Sequence, residues 1–329
     1  MNFPENFFQD EYRSDFLVPE MMKRAWAAEC EVLEVVVNIC DKYHLQYFAD
    51  CGTLLGAVRH KGFVPWDDDI DIALKRKDYN TLLSVLPKEL PEGFLVDGLH
   101  ASDPAQRLRT NIGHTSIKTD KHYWSIRDYI KRFHGFPFRG TSIDIFPLDY
   151  IPRDPDTALI QKFLFQSILS LLHDFDTLTE DIREAKLAEI EANAGVTLPR
   201  DETTKLSLHN LMEALASMFD ESECDEVDYY FRVAFDGKQH LKKEWFDEVV
   251  YLPFETFKIA APRNYHEILT AYYGDYQIPV KFTQAHGYPF YAKGEQELKE
   301  TLARQGFHGS INDFIRNIDS FHILDSRHS

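Results

Sequence analysis

DCGTLLGAVRHKGFVPWDDDIDIAL, residues 50–74, joins a glycine-bearing turn to an acidic strand. From Asp69 the chain alternates as Asp69, Ile70, Asp71, Ile72, Ala73, Leu74. A period of two puts Asp69 and Asp71 on one strand face and turns Ile70, Ile72 and Leu74 into a core. At a rise of about 3.3 Å per residue the two Cα atoms lie roughly 6–7 Å apart, close enough for both carboxylates to converge on one hard cation. Asp67 and Asp68 add charge at the strand entrance. Carboxylates so crowded repel one another, so a metal ion or a cationic ligand is expected between them. Upstream, Gly52 and Gly56 supply positions without a Cβ. With Thr53 they form a turn whose backbone N–H groups can face a phosphate or open a helix that attracts anions. The basic triplet Arg59, His60, Lys61 follows.

Outward from this stretch, Leu45–Ala49 reads as a strand that delivers the chain into the glycine turn. Before it, Trp26, Cys30, Leu33, Val37 and Cys40 recur at helical spacing after Pro19, which predicts a core-packed helix; His44 beyond it reads as structural. Downstream, residues 75–86 pattern as a helix, and strands are expected over 94–99, 107–112 and 115–118. Ser142-Ile143-Asp144-Ile145-Phe146 is a further strand with one acid on the polar face. Asp149, past Pro147, reads as a turn or cap residue. Residues 155–245 are mainly helical in pattern, 245–257 returns to strand composition, 265–273 is a helix capped by Gly274, and the tail beyond Lys293 holds one helix. Residues 1–18 read as an irregular arm. The expected division is an arm over 1–19, a core over 20–154, a helical subdomain over 155–245, and strands and helices completing the core over 246–329.

The 329 residues are 44% hydrophobic and 14% aromatic, enough for a packed core. A net charge of −18 opposes binding to a nucleic-acid backbone. Four cysteines, none in a C-x-x-C arrangement, indicate neither a disulfide framework nor a zinc site. No apolar run approaches the roughly 20 residues that cross a bilayer, and the amino terminus is acidic. The expectation is a cytoplasmic protein with at most peripheral contact to a membrane-linked acceptor. Asp67, Asp69 and Asp71 also match the opening of a calcium-binding EF-hand loop, with Asp78 at the twelfth position, but β-branched Ile72 stands where that loop needs glycine.

The order of glycine turn, basic triplet, Pro65-Trp66 and Asp-x-Asp strand suits a polymerase-β-type nucleotidyltransferase. The run GTLLGAVRHKGFVPWDDDIDI, with GTSIDIFPLDYIP at 140–152 and LPFETFKIAAPRNYHEILTAYYGDY at 252–276, resembles the LicD/fukutin family of phosphotransferases. That resemblance implies an α+β fold with a polymerase-β-like core, a mixed sheet with flanking helices, plus the helical subdomain. It makes Asp144 the third carboxylate beside Asp69 and Asp71 and turns Arg109 toward substrate; His286 is a weaker candidate for substrate contact.

The function it implies is metal-dependent transfer of a phospho-alcohol, foremost phosphocholine, from a CDP-activated donor such as CDP-choline to a sugar hydroxyl of a glycan or teichoic-acid precursor, with release of CMP. Asp69, Asp71 and Asp144 are then catalytic. With Asp67 they hold Mg²⁺ or Mn²⁺, and Gly52, Thr53, Arg59, His60, Lys61 and Arg109 bind substrate. Tyr123, Trp124, Phe136, Phe138, Tyr272 and Tyr273 are candidates for receiving a quaternary ammonium. Two other readings use the same residues: a nucleotidyltransferase that attaches the nucleotidyl group to a small acceptor, and an inactive nucleotide-binding regulatory protein.

Overall fold

The computed structural model describes residues 1–101, 113–235, 239–281 and 288–320. The amino-terminal segment is more ordered than its composition suggests: a short turn at Glu5–Phe8 leads into a hairpin of β1 (Glu11–Arg13) and β2 (Phe16–Val18). Its reversal uses positive φ at Ser14 and Asp15, small polar residues suited to a tight hairpin turn. Phe3 and Phe7 anchor the segment in the core.

Helix α1 (Glu20–Tyr43) starts directly after Pro19, and exposed His44 closes it in the left-handed conformation. Met22, Trp26, Cys30, Leu33 and Cys40 are fully buried on its inner side. Burying each large apolar side chain contributes about 1.5–3 kcal/mol. β3 (Tyr47–Ala49), α2 (Cys51–Arg59), β4 (Asp71–Lys75), α3 (Arg76–Glu89), β5 (Phe94–Asp97), β6 (Thr115–Thr119), α4 (Ile126–Arg132) and β7 (Ser142–Pro152) follow.

The principal sheet runs β3-β4-β7-β6-β5. β4 and β7 are parallel neighbours, and the other pairs on this path are antiparallel. The fold is thus mixed α+β. Ile72, Leu74, Ile117, Ile143 and Ile145 are buried in the main core with the inner face of α1, and alternate positions of β4 and β7 carry Asp71 and Asp144.

β7 is eleven residues long and serves two sheet regions. Residues 142–148 lie between β4 and β6, while 149–152 pair with β8 (Cys224–Asp228), which in turn pairs with β9 (Leu241–Lys242). Between β7 and β8, helices α5 (Pro155–Asp174), α6 (Glu180–Ala194) and α7 (Thr204–Ala216) gather with α8 (Tyr230–Phe235) around a second apolar cluster that includes Phe165, Ile168, Ile190, Leu208 and Met212. The strand composition near 245–257 resolves into a hairpin of β10 (Val249–Phe254) and β11 (Phe257–Pro262), followed by α9 (Tyr265–Tyr273). The tail holds two helices rather than the single one expected, α10 (Ala292–Arg304) and α11 (Ile311–Arg316).

Asp149 corrects the turn-or-cap reading. It lies inside β7, buried, and takes a bidentate fork from buried Arg76: Nε to Oδ1 at 2.5 Å and Nη2 to Oδ2 at 2.8 Å. Arg76 also donates to Glu213 on α7, which ties the helical cluster to the sheet. Removing one partner of such a pair strands the other charge in the interior. Arg76→Ala is therefore expected to cost about 3–5 kcal/mol in chemical denaturation; a loss below about 1 kcal/mol would show the pair to be dispensable.

Candidate active site

Asp71 on β4 and Asp144 on β7 are register partners across the parallel pair, so both side chains leave the same sheet face from strands about 4.8 Å apart. The ladder extends one step before β4, with Asp144 N–H donating to Ile70 C=O at 2.9 Å. Regular strand begins at Asp71 rather than at Asp69 as the alternation suggested. On the other side of β7, Ser116 of β6 faces Asp144 and its hydroxyl donates to Oδ1 at 2.5 Å. The backbone of Asp71 is held from α2: its N–H donates to the Thr53 hydroxyl at 2.9 Å, and its C=O accepts from Asp50 N–H at 3.1 Å.

Among the described residues, Asp67, Asp68 and Asp69 each offer a carboxylate oxygen within 4.8 Å of the others. The Trp26 indole on α1 donates to the Asp67 carbonyl at 3.0 Å, and Asp68 accepts the Phe290 N–H at 2.6 Å. The Trp26 ring is stacked on Phe63 at 4.6 Å, so the approach to this acidic turn is rigid. Burial pushes the Asp67 carboxyl well up, and neighbouring Asp69 and Asp68 push it further. Asp71 is pushed well up by burial, then by Asp69, Asp144, Asp67 and Asp50. The direction is common to both, since carboxylates gathered out of water resist ionising together unless a cation joins them.

The glycines turn out to be spacing devices. A Cβ on Gly52 would stand 2.1 Å from Asp67 Oδ2, so the first turn of α2 and the Asp67 carboxylate meet only because that position is bare. A Cβ on Gly56 would stand 2.3 Å from the Gly62 carbonyl, so the second glycine lets α2 pack on the returning loop.

The basic triplet lies at the opposite end of α2 from Gly52 and Thr53, roughly 12 Å along the axis, so the structure does not bring these two groups together. Arg59 donates to the Tyr276 carbonyl at 2.7 Å. His60 packs edge-on to Trp66, and burial, then Arg59 and Arg13, push its imidazole down to about 4, which leaves it neutral at pH 7. Lys61 is exposed at positive φ, and its carbonyl accepts the Glu255 N–H at 2.8 Å. Arg109 and His286 lie outside the described residues, as does the strand expected over 107–112.

Four groups at the site went unread in the sequence. Asp50 is buried and accepts hydroxyls from Tyr229 and Tyr272 on one oxygen; burial raises its carboxyl to about 7. An aspartate just before a helix reads as a cap, yet its side chain makes no cap bond to α2. His114 Nε2 lies 3.5 Å from Asp144 Oδ2, with its ring against Phe146. Ser116 becomes a neighbour of Asp144 only through strand order. Glu29 sits within an otherwise apolar helical face and is 2% exposed.

Of the six aromatic candidates, Tyr272 touches Asp50, and Tyr273 lies in the field of Cys51, Asp50, Asp71 and Asp67. Arg232 covers the Tyr272 ring at 4.5 Å. Tyr123 and Trp124 pack over Gly93, while Phe136 and Phe138 pack on Tyr291. Asp78 lies on α3 and accepts the Gln46 N–H at 3.0 Å, so it takes no part in a calcium loop.

Asp67, Asp68 and Asp69 form an all-oxygen donor group that suits a hard divalent cation, with Asp71 and Asp144 paired in register on the adjoining strands. Residues 44–158 match the family described as LicD/FKTN/FKRP, nucleotidyltransferase domain. It is similar to the lipopolysaccharide cholinephosphotransferase LicD of Haemophilus influenzae, with 27% identity over 74% of this chain and 87% of that protein, so the likeness extends well beyond the family domain. Two shorter matches are to uncharacterized proteins. One, from Rickettsia prowazekii, is 44% identical over 18% of this chain and 22% of its own length; the other, from Rickettsia typhi, is 33% identical over 27% and 30%. Their spans are too short to bear on the whole chain. No helix among the described residues is long and apolar enough to cross a membrane.

Proposed function

We propose that the protein transfers a phospho-alcohol, foremost phosphocholine, from a CDP-activated donor to a sugar hydroxyl of a cell-surface glycan precursor and releases CMP. The likeness to the Haemophilus cholinephosphotransferase supports transferase chemistry, choline phosphate and a glycan acceptor. The CDP donor, the metal and the cytoplasmic setting are part of this reading. The observation that carries it is the register pairing of Asp71 with Asp144 beside the Asp67–Asp69 turn.

In this reading Asp67, Asp69, Asp71 and Asp144 hold Mg²⁺ or Mn²⁺. Bound there, the ion neutralises charge on the donor diphosphate and on departing CMP. Ser116 fixes one oxygen of Asp144, which leaves the oxygen nearer His114 to orient the acceptor hydroxyl and take its proton. The Thr53 hydroxyl is committed to the Asp71 backbone, so its role toward donor phosphate is confined to N–H groups in the first turn of α2. Arg59 and Lys61 supply positive charge at the far end of α2, and neutral His60 does not.

The test is incubation with CDP-choline, CDP-ethanolamine, CDP-glycerol and CDP-ribitol plus Mg²⁺ and a glycan acceptor, scored for CMP by mass spectrometry. CMP release is expected from one donor, foremost CDP-choline, abolished by chelator and restored by Mg²⁺ or Mn²⁺. Pyrophosphate release from CTP with a nucleotidylated sugar would establish the nucleotidyltransferase reading instead. Undiminished activity in chelator would eliminate the metal.

A further inference from the structure

Glu29 is a buried carboxyl that the reading above leaves without a task. It is 2% exposed, and its Oε2 is fully buried with no hydrogen-bond partner. Its neighbours on α1 explain where it faces. Trp26, three residues earlier and on the same helical face, donates its indole N–H to the Asp67 carbonyl, so this face of α1 abuts the acidic turn. The charges that act on Glu29 are, in order, Asp69, Asp68, Asp67 and Asp144, after burial itself. None of these largest influences is a cation, and a buried polar oxygen without a partner is rare in native proteins. On Glu29's own face of the helix the neighbours are apolar: Ala25, Trp26, Val32 and Leu33 are all fully buried. An apolar side chain here would pack without the cost of desolvating a carboxyl.

We propose that Glu29 is a further carboxylate ligand of the cation site and closes it on the α1 side, behind Asp67 and Asp69. This rests on the metal reading above. The cation then sits between the sheet face that carries Asp71 and Asp144 and the helix that carries Glu29, and α1 becomes part of the site as well as of the core.

The experiment is Mn²⁺ titration of the full chain, followed by electron paramagnetic resonance and by the shift in melting temperature, for wild type, Glu29→Gln, Glu29→Met and Asp71→Asn. Both Glu29 variants are expected to bind Mn²⁺ about tenfold more weakly or worse, as when a metal-site contact is lost, and to melt no lower than wild type without metal. Mn²⁺ affinity within twofold of wild type in both, with Asp71→Asn impaired, would remove Glu29 from the site and leave the metal reading intact. Wild type that binds no Mn²⁺ would overturn both. A second measurement needs no variant: the other proposed ligands are aspartates, so electron–nuclear double resonance on protein labelled with ¹³C at the glutamate carboxyls reports on Glu29 alone. A ¹³C coupling to bound Mn²⁺ supports ligation, and its absence refutes it.

Discussion

Asp71→Asn is expected to leave the protein folded and to lower turnover at least about a hundredfold, or about 2.7 kcal/mol of transition-state stabilisation. The substitution keeps shape and the backbone bonds to Thr53 and Asp50, so nothing that builds β4 is touched. What changes is one charge at the centre of the acidic group, where Asp69, Asp144, Asp67 and Asp50 all act on it. Relief of that repulsion should leave the metal-free melting temperature unchanged or higher. The two outcomes together, a slower enzyme and an equally stable fold, distinguish a metal ligand from a structural acid. Turnover within threefold of wild type would take Asp71 out of the chemistry.

Gly52→Ala sets two effects against each other. Helix propensity favours alanine by up to about 1 kcal/mol, and position 52 lies in the first turn of α2. Against that, the new Cβ would stand 2.1 Å from Asp67 Oδ2 and 3.3 Å from its Cγ. Asp67 cannot step back, because its N–H is bonded to the Val64 carbonyl and its own carbonyl receives the Trp26 indole. Either the carboxylate rotates away or α2 shifts off Asp71, and each displaces a proposed ligand. A rise of about tenfold or more in the Mg²⁺ concentration needed for half-maximal activity is expected, with little change in melting temperature. Normal Mg²⁺ dependence would show that the close approach has no part in metal binding.

Local pattern carried much of this architecture, because alternation and helical spacing are imprinted residue by residue. The strand that holds Asp71, the strand that holds Asp144 and the long first helix were legible for that reason. What connects them was not. Asp71 and Asp144 are 73 positions apart in the chain, and only parallel pairing of β4 with β7 makes them register partners. Ser116 and His114 reach Asp144 through strand order that composition does not encode. Asp149 was misread because Pro147 suggested a break, whereas β7 continues through it and offers Arg76 a buried partner. Glu29 was hidden by its company, since an acid on an apolar helix face gives no periodic signal. The glycines were read as a phosphate turn. Gly52 is equally a space left for Asp67, a role visible only once the loop returns.

β7 also works as a ruler. Its alternation places Asp144 on the acidic side and Ile145 in the core, while five residues further on Asp149 must meet Arg76. A single inserted or deleted residue between those two would reverse parity and force a choice between aiming Asp144 and keeping the Arg76 fork. Length changes tolerated between those two should therefore come in pairs, whereas single ones can be absorbed past Asp149, at the irregular step between Ile151 and Pro152. The helical cluster can drift in size and sequence, provided it re-enters the sheet with that count intact.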